Sequence, residues 1–275
     1  MPVKMKKYIR DLTIASVDFV GGRYVHLKLT DETHPLPADI LPGQFVQVRI
    51  DETPSVFLRR PISINMVDRE LNQLWLLVAV VGDGTRWLSS RRPGDRINCV
   101  LPLGNGFTLE ASCRVDGFGG PSSYRPLLVG GGVGVAPLLY LAHELRQRGH
   151  RPTIILGART EGDLLLVDEF SKAGEVHVTT EDGTVGTKGF VTNDPLMSDG
   201  SFDRIQCCGP TPMMKAVARL AHARHIDCEV SLENQMACGL GACLCCVEPT
   251  NPGAHNVCVC QDGPVFNTRQ LLWQD

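Results

Sequence analysis

The chain has 275 residues, 43% of them hydrophobic and 21% charged, with a formal net charge of −3. That length suits about two domains, and the balance is that of an ordinary globular protein. The charge excludes the strong basic character expected of a partner for nucleic acid or an anionic membrane surface.

The first residues, MPVKMKKYIRDLTI, have a basic front and no apolar region behind it, so no secretory signal is expected. The longest apolar run, Pro126 to Ala142, is broken by glycines and prolines, which suits a strand, loop and helix better than a membrane span. Eleven cysteines in such a chain read as metal ligands in a reducing, cytoplasmic setting rather than as a disulfide framework.

The first hundred residues read as strands. YVHLKLT (Tyr24–Thr30), QFVQVRI (Gln44–Ile50) and LWLLVAV (Leu74–Val80) are rich in β-branched and aromatic residues. Gly and Pro punctuate them, which predicts a small antiparallel barrel. Within this half, Leu58-Arg59-Arg60-Pro61-Ile62-Ser63-Ile64 sets two arginines before a proline and a strand. An arginine fork pairs bidentately with a pyrophosphate. Gly82-Asp83-Gly84-Thr85 opens a short helical stretch, RWLSSRR, whose N-terminus would face the same anion. Taken singly, the arginines also suit a solvated surface and the glycines a hairpin turn.

A Gly/Ser/Pro-rich linker candidate, SCRVDGFGGPSSYRP, separates this half from the next. From Pro126 the pattern becomes strand (LLVGG), helix (APLLYLAHELRQRG), strand (TIILGA), a helical stretch around LLLVDEF, strand (EVHVTT), strand (RIQCC) and helix (MMKAVARLAHARH). Leu138, Leu141, Ala142 and Leu145 form one helical stripe, and Gly149 lies just past its end. The alternation predicts a parallel sheet covered by helices. The junction Gly130-Gly131-Gly132-Val133-Gly134-Val135-Ala136-Pro137 departs from the G-x-G-x-x-G fingerprint at its sixth place. Its glycines still permit close backbone approach to a phosphate at a helix N-terminus, and Pro137 suits a first helical turn. Cys208-Gly209-Pro210-Thr211-Pro212-Met213 follows the last strand and should flank the same crevice. Cys208 suits a place beside a nicotinamide or an ordinary small core position. Of the eight histidines, His143, His222 and His225 fall on predicted helices as surface residues.

After Leu232 regular patterning fades, and Met236 to Phe266 holds six cysteines. Cys238-x₄-Cys243-x₂-Cys246 with a distant fourth matches a [2Fe–2S] spacing, whereas structural zinc takes two short pairs. Gly239, Gly241 and Ala242 leave room for backbone amides near sulfur. Cys245 neighbours Cys246, and adjacent side chains of an extended segment diverge. Cys258 and Cys260 would share one strand face, so alternation leaves both open as the fourth ligand.

The order RPIS, GDGT, GGGVGVAP, CGPTPM resembles the ferredoxin–NADP reductase superfamily over about the first 230 residues. The resemblance implies a six-stranded antiparallel FAD barrel followed by a pyridine-nucleotide α/β domain. It implies FAD on Arg60, Pro61, Ile62 and Ser63, on Leu77, Val78 and Ala79, and on Gly84 and Thr85. It implies NAD at Gly130, Gly131, Gly132, Val133, Gly134, Ala136 and Pro137, and at Cys208, Gly209, Pro210 and Met213. Pro61-Ile62 stands where the plant-type reductases commonly have an aromatic before the serine.

MACGLGACLCCVE followed by CQDGPVF further resembles the electron transfer subunits of NAD-dependent dihydroorotate dehydrogenases. That likeness makes Cys260 the fourth ligand beside Cys238, Cys243 and Cys246, and leaves Cys245 and Cys258 as incidental thiols. Cys99, Cys113, Cys207 and Cys228 read as core or surface residues. The implied organisation is a FAD barrel over 1–104, an NAD domain over 105–230 and a [2Fe–2S] domain over 231–275. The implied function is transfer of electrons from an FMN-bearing catalytic subunit, through [2Fe–2S] and FAD, to NAD⁺ in pyrimidine biosynthesis. The implied assembly is a heterotetramer of two copies each, with no nucleic acid and no membrane. The residues themselves demand no acid–base catalyst. The rival readings are a reductase subunit of a hydrogenase, sulfite reductase or NADH–ferredoxin system, and a non-enzymatic metal-binding regulator. Ala158-Arg159-Thr160-Glu161 offers both a cation for a 2′-phosphate and an anion against it, so only the resemblance favours NAD over NADP.

Overall fold

The structure, a computed structural model, describes residues 6–110, 124–251 and 253–273. Most of the linker candidate, with Cys113, lies outside the described residues.

Six strands close the N-terminal barrel: β1 (Tyr8–Phe19), β2 (Tyr24–Thr30), β3 (Phe45–Val48), β4 (Arg60–Asp68), β5 (Gln73–Ala79) and β6 (Arg96–Leu103). Their order is β1-β2-β5-β4-β3-β6, with antiparallel pairing throughout. Closure leaves no free edge to attract another strand. The barrel interior is filled by Leu12, Ile14, Leu27, Leu29, Ile64, Leu74, Leu76 and Ile97, each at or near zero exposure. The short helix α1 (Asp83–Ser89) follows β5. It begins three residues earlier than the RWLSSRR stretch suggests, because Thr85 Oγ1 accepts from the amides of Val81 and Gly82 and so nucleates the first turn.

The second half is a seven-stranded sheet in the order β10-β9-β8-β7-β11-β12-β15. Its strands are β7 (Pro126–Gly131), β8 (Thr153–Ala158), β9 (Glu175–Thr180), β10 (Thr187–Lys188), β11 (Arg204–Cys208), β12 (Asp227–Ser231) and β15 (Val265–Asn267). All pairings are parallel except β12 with β15. Helices α2 (Ala136–Gln147), α3 (Val167–Ala173), α4 (Pro195–Asp199) and α5 (Thr211–Ala223) accompany the sheet. The short strands β13 (Val247–Glu248) and β14 (Val257–Cys258) pair beyond it.

Alternate residues of β7 enter two cores. Leu128 joins the barrel interior and Leu138, Leu139, Tyr140 and Leu141 of α2 in one. Leu127 and Val129 join α5 and the cysteine-bearing segment, including Met236, Cys246, Cys260 and Trp273, in the other. The barrel is thus continuous with the α2 face, and the C-terminal segment with the α5 face. Strand β15 also carries the sheet past residue 230, the limit that the sequence suggests for the nucleotide domain.

Candidate functional site

A cleft of about 890 Å³ runs between the barrel, the carboxyl ends of β7 and β11, and the cysteine-rich segment. Ligands of open α/β sheets bind outside the carboxyl ends of strands. The barrel wall of the cleft is Leu58 to Ser63, Leu77 to Ala79 and Val81 to Thr85. The opposite wall is Gly131 to Gly134, Ala136, Pro137 and Cys208 to Thr211. Every residue that the sequence offers for FAD lines this one cavity.

The two arginines are sorted by their surroundings. Arg59 donates to the carbonyls of Gln47 (3.2 Å) and Asn98 (3.1 Å) and to Asn98 Oδ1 (2.6 Å), so it staples the barrel. Among the described residues, Arg60 donates only to the Leu58 carbonyl (2.8 Å). Its guanidinium lies across Gly84, where a Cβ would come within 2.7 Å of Nε. Arg60 therefore keeps donors without a partner among the described residues, and Gly84 keeps the floor beneath it low. Thr85 differs from expectation: its hydroxyl accepts two amides and donates to the Gly82 carbonyl (3.0 Å), so its own oxygen is committed to the turn. Ser63 stands opposite Phe45 in the barrel register, and among the described residues its hydroxyl has no hydrogen-bond partner.

On the nucleotide side, Gly134 touches the other loop directly. A Cβ there would lie 2.5 Å from Gly209 Cα and 2.6 Å from the Cys208 carbonyl oxygen. Gly131 faces the Met213 sulfur in the same way, at 2.6 Å. Met213 thus packs behind the loop, and Gly130, covered by Val135 and Leu138, is core; neither lines the cleft. Cys208 is half-buried at the cleft wall. Burial pushes its thiol up to about 12, against a hydrogen bond with Ser231, so it stays neutral at physiological pH. Cys99, Cys207 and Cys228 are core residues. His222 and His225 are exposed, but His143 is half-buried; burial and then Arg146 lower its pKa.

The cysteine loop closes the third side. Cys238 Sγ accepts from the amides of Leu240 (3.3 Å) and Cys243 (3.4 Å). Burial raises the Cys238 pKa, but these amides and that of Ala242 outweigh it and bring the thiol down to about 6. A thiolate is the form that binds metal. Cys246 Sγ accepts from the Cys260 amide (3.4 Å), and Cys260 Sγ from the Gly241 amide (3.1 Å). Burial and then neighbouring Cys246 push the Cys260 thiol up to about 12. Four thiols are therefore linked in two pairs, Cys238 with Cys243 and Cys246 with Cys260. No three His, Cys, Asp or Glu side chains among the described residues gather around a single metal point. Gly239 and Gly241 adopt left-handed backbone, with φ of 67° and 80°. A Cβ on Gly239 would meet Gln47 of β3 at 2.8 Å, so the loop rests on the barrel strand beside the flavin motif.

Cys258 and Cys260 do not share a strand face. Strand β14 ends at Cys258, and Gln261 and Asp262 donate to its carbonyl, so Cys260 sits in a tight turn. The turn buries Cys260 and leaves Cys258 half-exposed, its amide on Asp262 (2.7 Å). Cys245 is exposed and lines the cleft. The sequence reading also missed Arg23, Tyr24 and Ser231 to Met236 as cleft residues. The stretch after β12 carries no motif, and only the sheet order signals that it leaves a strand beside β11 at the cleft.

Two family models match the chain. One describes the iron–sulfur cluster binding domain of dihydroorotate dehydrogenase B and covers residues 233–272; the other describes an oxidoreductase NAD-binding domain and covers 128–219. The fold and these three motifs define a flavin-type reductase with an iron–sulfur extension. A dihydroorotate dehydrogenase B (NAD(+)) electron transfer subunit from Shouchella clausii (strain KSM-K16) is 42% identical over 84% of this chain and 86% of its own length. Its counterpart in Geobacillus kaustophilus (strain HTA426) is 38% identical over 95% of this chain and 97% of its own. The chain belongs to the family of electron transfer subunits of dihydroorotate dehydrogenase B. Among solved structures, an NADH-dependent reduced ferredoxin-NADP oxidoreductase superposes with a TM-score of 0.81 at 32% identity, over 95% of this chain and 90% of that one. A ferredoxin reductase of carbazole 1,9a-dioxygenase shares the fold, with a TM-score of 0.66 at 20% identity over 82% and 68%.

Proposed function

We propose that this chain carries electrons between a catalytic subunit that oxidises dihydroorotate and NAD⁺, in pyrimidine biosynthesis. The balance is dihydroorotate and NAD⁺ in, orotate, NADH and a proton out. The observation that carries the reading is one cleft shared by a flavin motif, a pyridine-nucleotide turn and a four-cysteine loop. A bound cluster supplies single-electron transfer, and a bound flavin supplies exchange between single electrons and hydride.

The residues suit these groups. Arg60, the low floor at Gly84 and the free Ser63 hydroxyl fit FAD, with Pro61, Ile62, Leu77, Val78 and Ala79 as the apolar and backbone wall. Gly131 to Gly134, Ala136, Pro137 and Cys208 to Pro210 fit NAD, with Gly130 and Met213 shaping the turn from behind. Cys238, Cys243, Cys246 and Cys260 fit a [2Fe–2S] cluster as two thiol pairs with amide donors at sulfur. In this reading 1–104 is the flavin module, 105–230 the nucleotide module and 231–275 the cluster module. Catalytic partners of this family's subunits are implied by their name; we assign the partner an FMN, a two-plus-two assembly with this chain, and a cytoplasmic location. No helix among the described residues is long and apolar enough to cross a membrane. Exposed Leu240 and Leu244 on the cysteine loop suit a protein partner there.

The likeness to the reduced ferredoxin-NADP oxidoreductase favours a second reading, in which the electron donor is a reduced iron–sulfur protein. Mixing the purified chain anaerobically with a candidate FMN subunit decides between them. Dihydroorotate-dependent formation of NADH supports the first reading. NAD⁺ reduction with reduced ferredoxin and none with dihydroorotate supports the second.

A further inference from the structure

Strand β4 carries the flavin motif at its start and bulges five residues later. It pairs Ile64 with Leu76 and Met66 with Trp75, so Asn65 is an extra residue in the ladder. A bulge re-aims a side chain. Here it turns the fully buried Asn65 towards the nucleotide helix, where Nδ2 donates to the Ala136 carbonyl (2.9 Å). That carbonyl only accepts, which fixes the amide and leaves Oδ1 towards His26 Nε2 at 3.0 Å. His26 must then donate from Nε2. Burial and then Lys28 lower the His26 pKa, consistent with a neutral ring held in one tautomer.

Ala136 opens α2 directly after the glycine turn that lines the cleft. One turn further along, Tyr140 donates to the Ile40 carbonyl of the barrel (3.3 Å). Leu138, Leu139 and Ile64 share one core, so the helix is fixed to the barrel at two polar points across apolar packing.

We propose that Asn65, oriented by His26, is a positioning residue that sets the distance between nicotinamide and flavin. The proposal rests on the assignment of FAD and NAD to this cleft. One strand then holds the flavin motif and fixes the end of the nucleotide loop, where α2 begins. Hydride transfer requires reacting atoms about 3–3.5 Å apart, and a misplacement of about 1 Å costs on the order of 10²-fold. NADH gives up a hydride and leaves as NAD⁺, while the oxidised flavin gains two electrons and one proton.

The test uses the full chain, purified without oxygen, as Asn65→Leu, His26→Leu and His26→Gln. Asn65→Leu keeps the volume and loses the donor, and His26→Gln keeps an N–H for Oδ1. Asn65→Leu is expected to retain FAD and iron. Hydrogen exchange across 131–141 should quicken, and the rate of flavin bleaching at saturating NADH should fall about 10- to 100-fold, with a much smaller change in NADH affinity. His26→Leu should show the same defect in part, and His26→Gln should restore it. Unchanged exchange and rate in Asn65→Leu overturn the proposal. If Asn65→Leu loses FAD or iron, the His26 pair decides: equal behaviour of Leu and Gln overturns the proposal, and rescue by Gln supports it. Failure of NADH to bleach the flavin of the unaltered protein overturns the electron-transfer reading itself, and the positioning role with it.

Discussion

Arg59 and Arg60 are neighbours that meet different partners, and their variants should separate cleanly. Arg59→Ala removes three hydrogen bonds inside the barrel and should lower stability by about 1.5–3 kcal/mol. Arg60→Ala should leave thermal unfolding of the flavin-free protein nearly unchanged and weaken FAD binding, read by fluorescence titration of released flavin. The thiols allow an equally sharp contrast. Cys260→Ser should strip iron and labile sulfide and leave FAD and NADH-driven dye reduction, whereas Cys258→Ser should leave both centres. Loss of iron from Cys258→Ser would contradict the ligand set. At this scale the sequence was legible where side-chain chemistry is specific, as in the cysteine-rich segment that matches an iron–sulfur cluster binding domain. It could not reveal that the Thr85 hydroxyl is spent on its own turn, that Cys245 faces the cleft, or that Cys260 lies in a turn. Those depend on where neighbouring backbone goes.

At the scale of elements, β2, β8, β9 and β11 were legible residue for residue, because each is a short apolar or β-branched run between breakers. Strands β1 and β6 were not singled out: the charges of β1 and the proline within β6 hide their alternation. Strand β15 is only three residues long and exists because β12 offers it an edge. The Gly134 turn makes its own prediction. Gly134→Ala forces the two nucleotide loops apart, at about 1–3 kcal/mol in stability, and should weaken NADH binding by calorimetry. The His26–Asn65 bridge predicts a pH dependence. With its folded pKa lowered, His26 binds its proton less readily in the folded than in the unfolded chain. Stability is therefore full above about 6.5 and falls as pH drops from there towards the lowered value. Denaturant titrations of the unaltered protein should show that slope, and His26→Gln should reduce it.

For the whole molecule, the arrangement follows from two cores that share one sheet. One joins the barrel to α2, and the other joins α5 to the cysteine segment. The cleft lies where these surfaces meet, which is why residues far apart in sequence, from Arg23 to Pro264, line a single cavity. The exposed Leu244 on the cysteine loop predicts that Leu244→Glu weakens association with the catalytic subunit in sedimentation, while NADH-driven dye reduction by the free chain persists. The proposed function requires nucleotide, flavin and iron–sulfur sites to form one electron path. It is tested most directly by an anaerobic absorbance titration with NADH, with iron, sulfide and FAD quantified per chain. Uptake of about three electrons per chain is expected, two at the flavin and one at the cluster, with both absorbances bleached. Protein without labile sulfide, or a cluster absorbance that stays unbleached once the flavin is reduced, would contradict it.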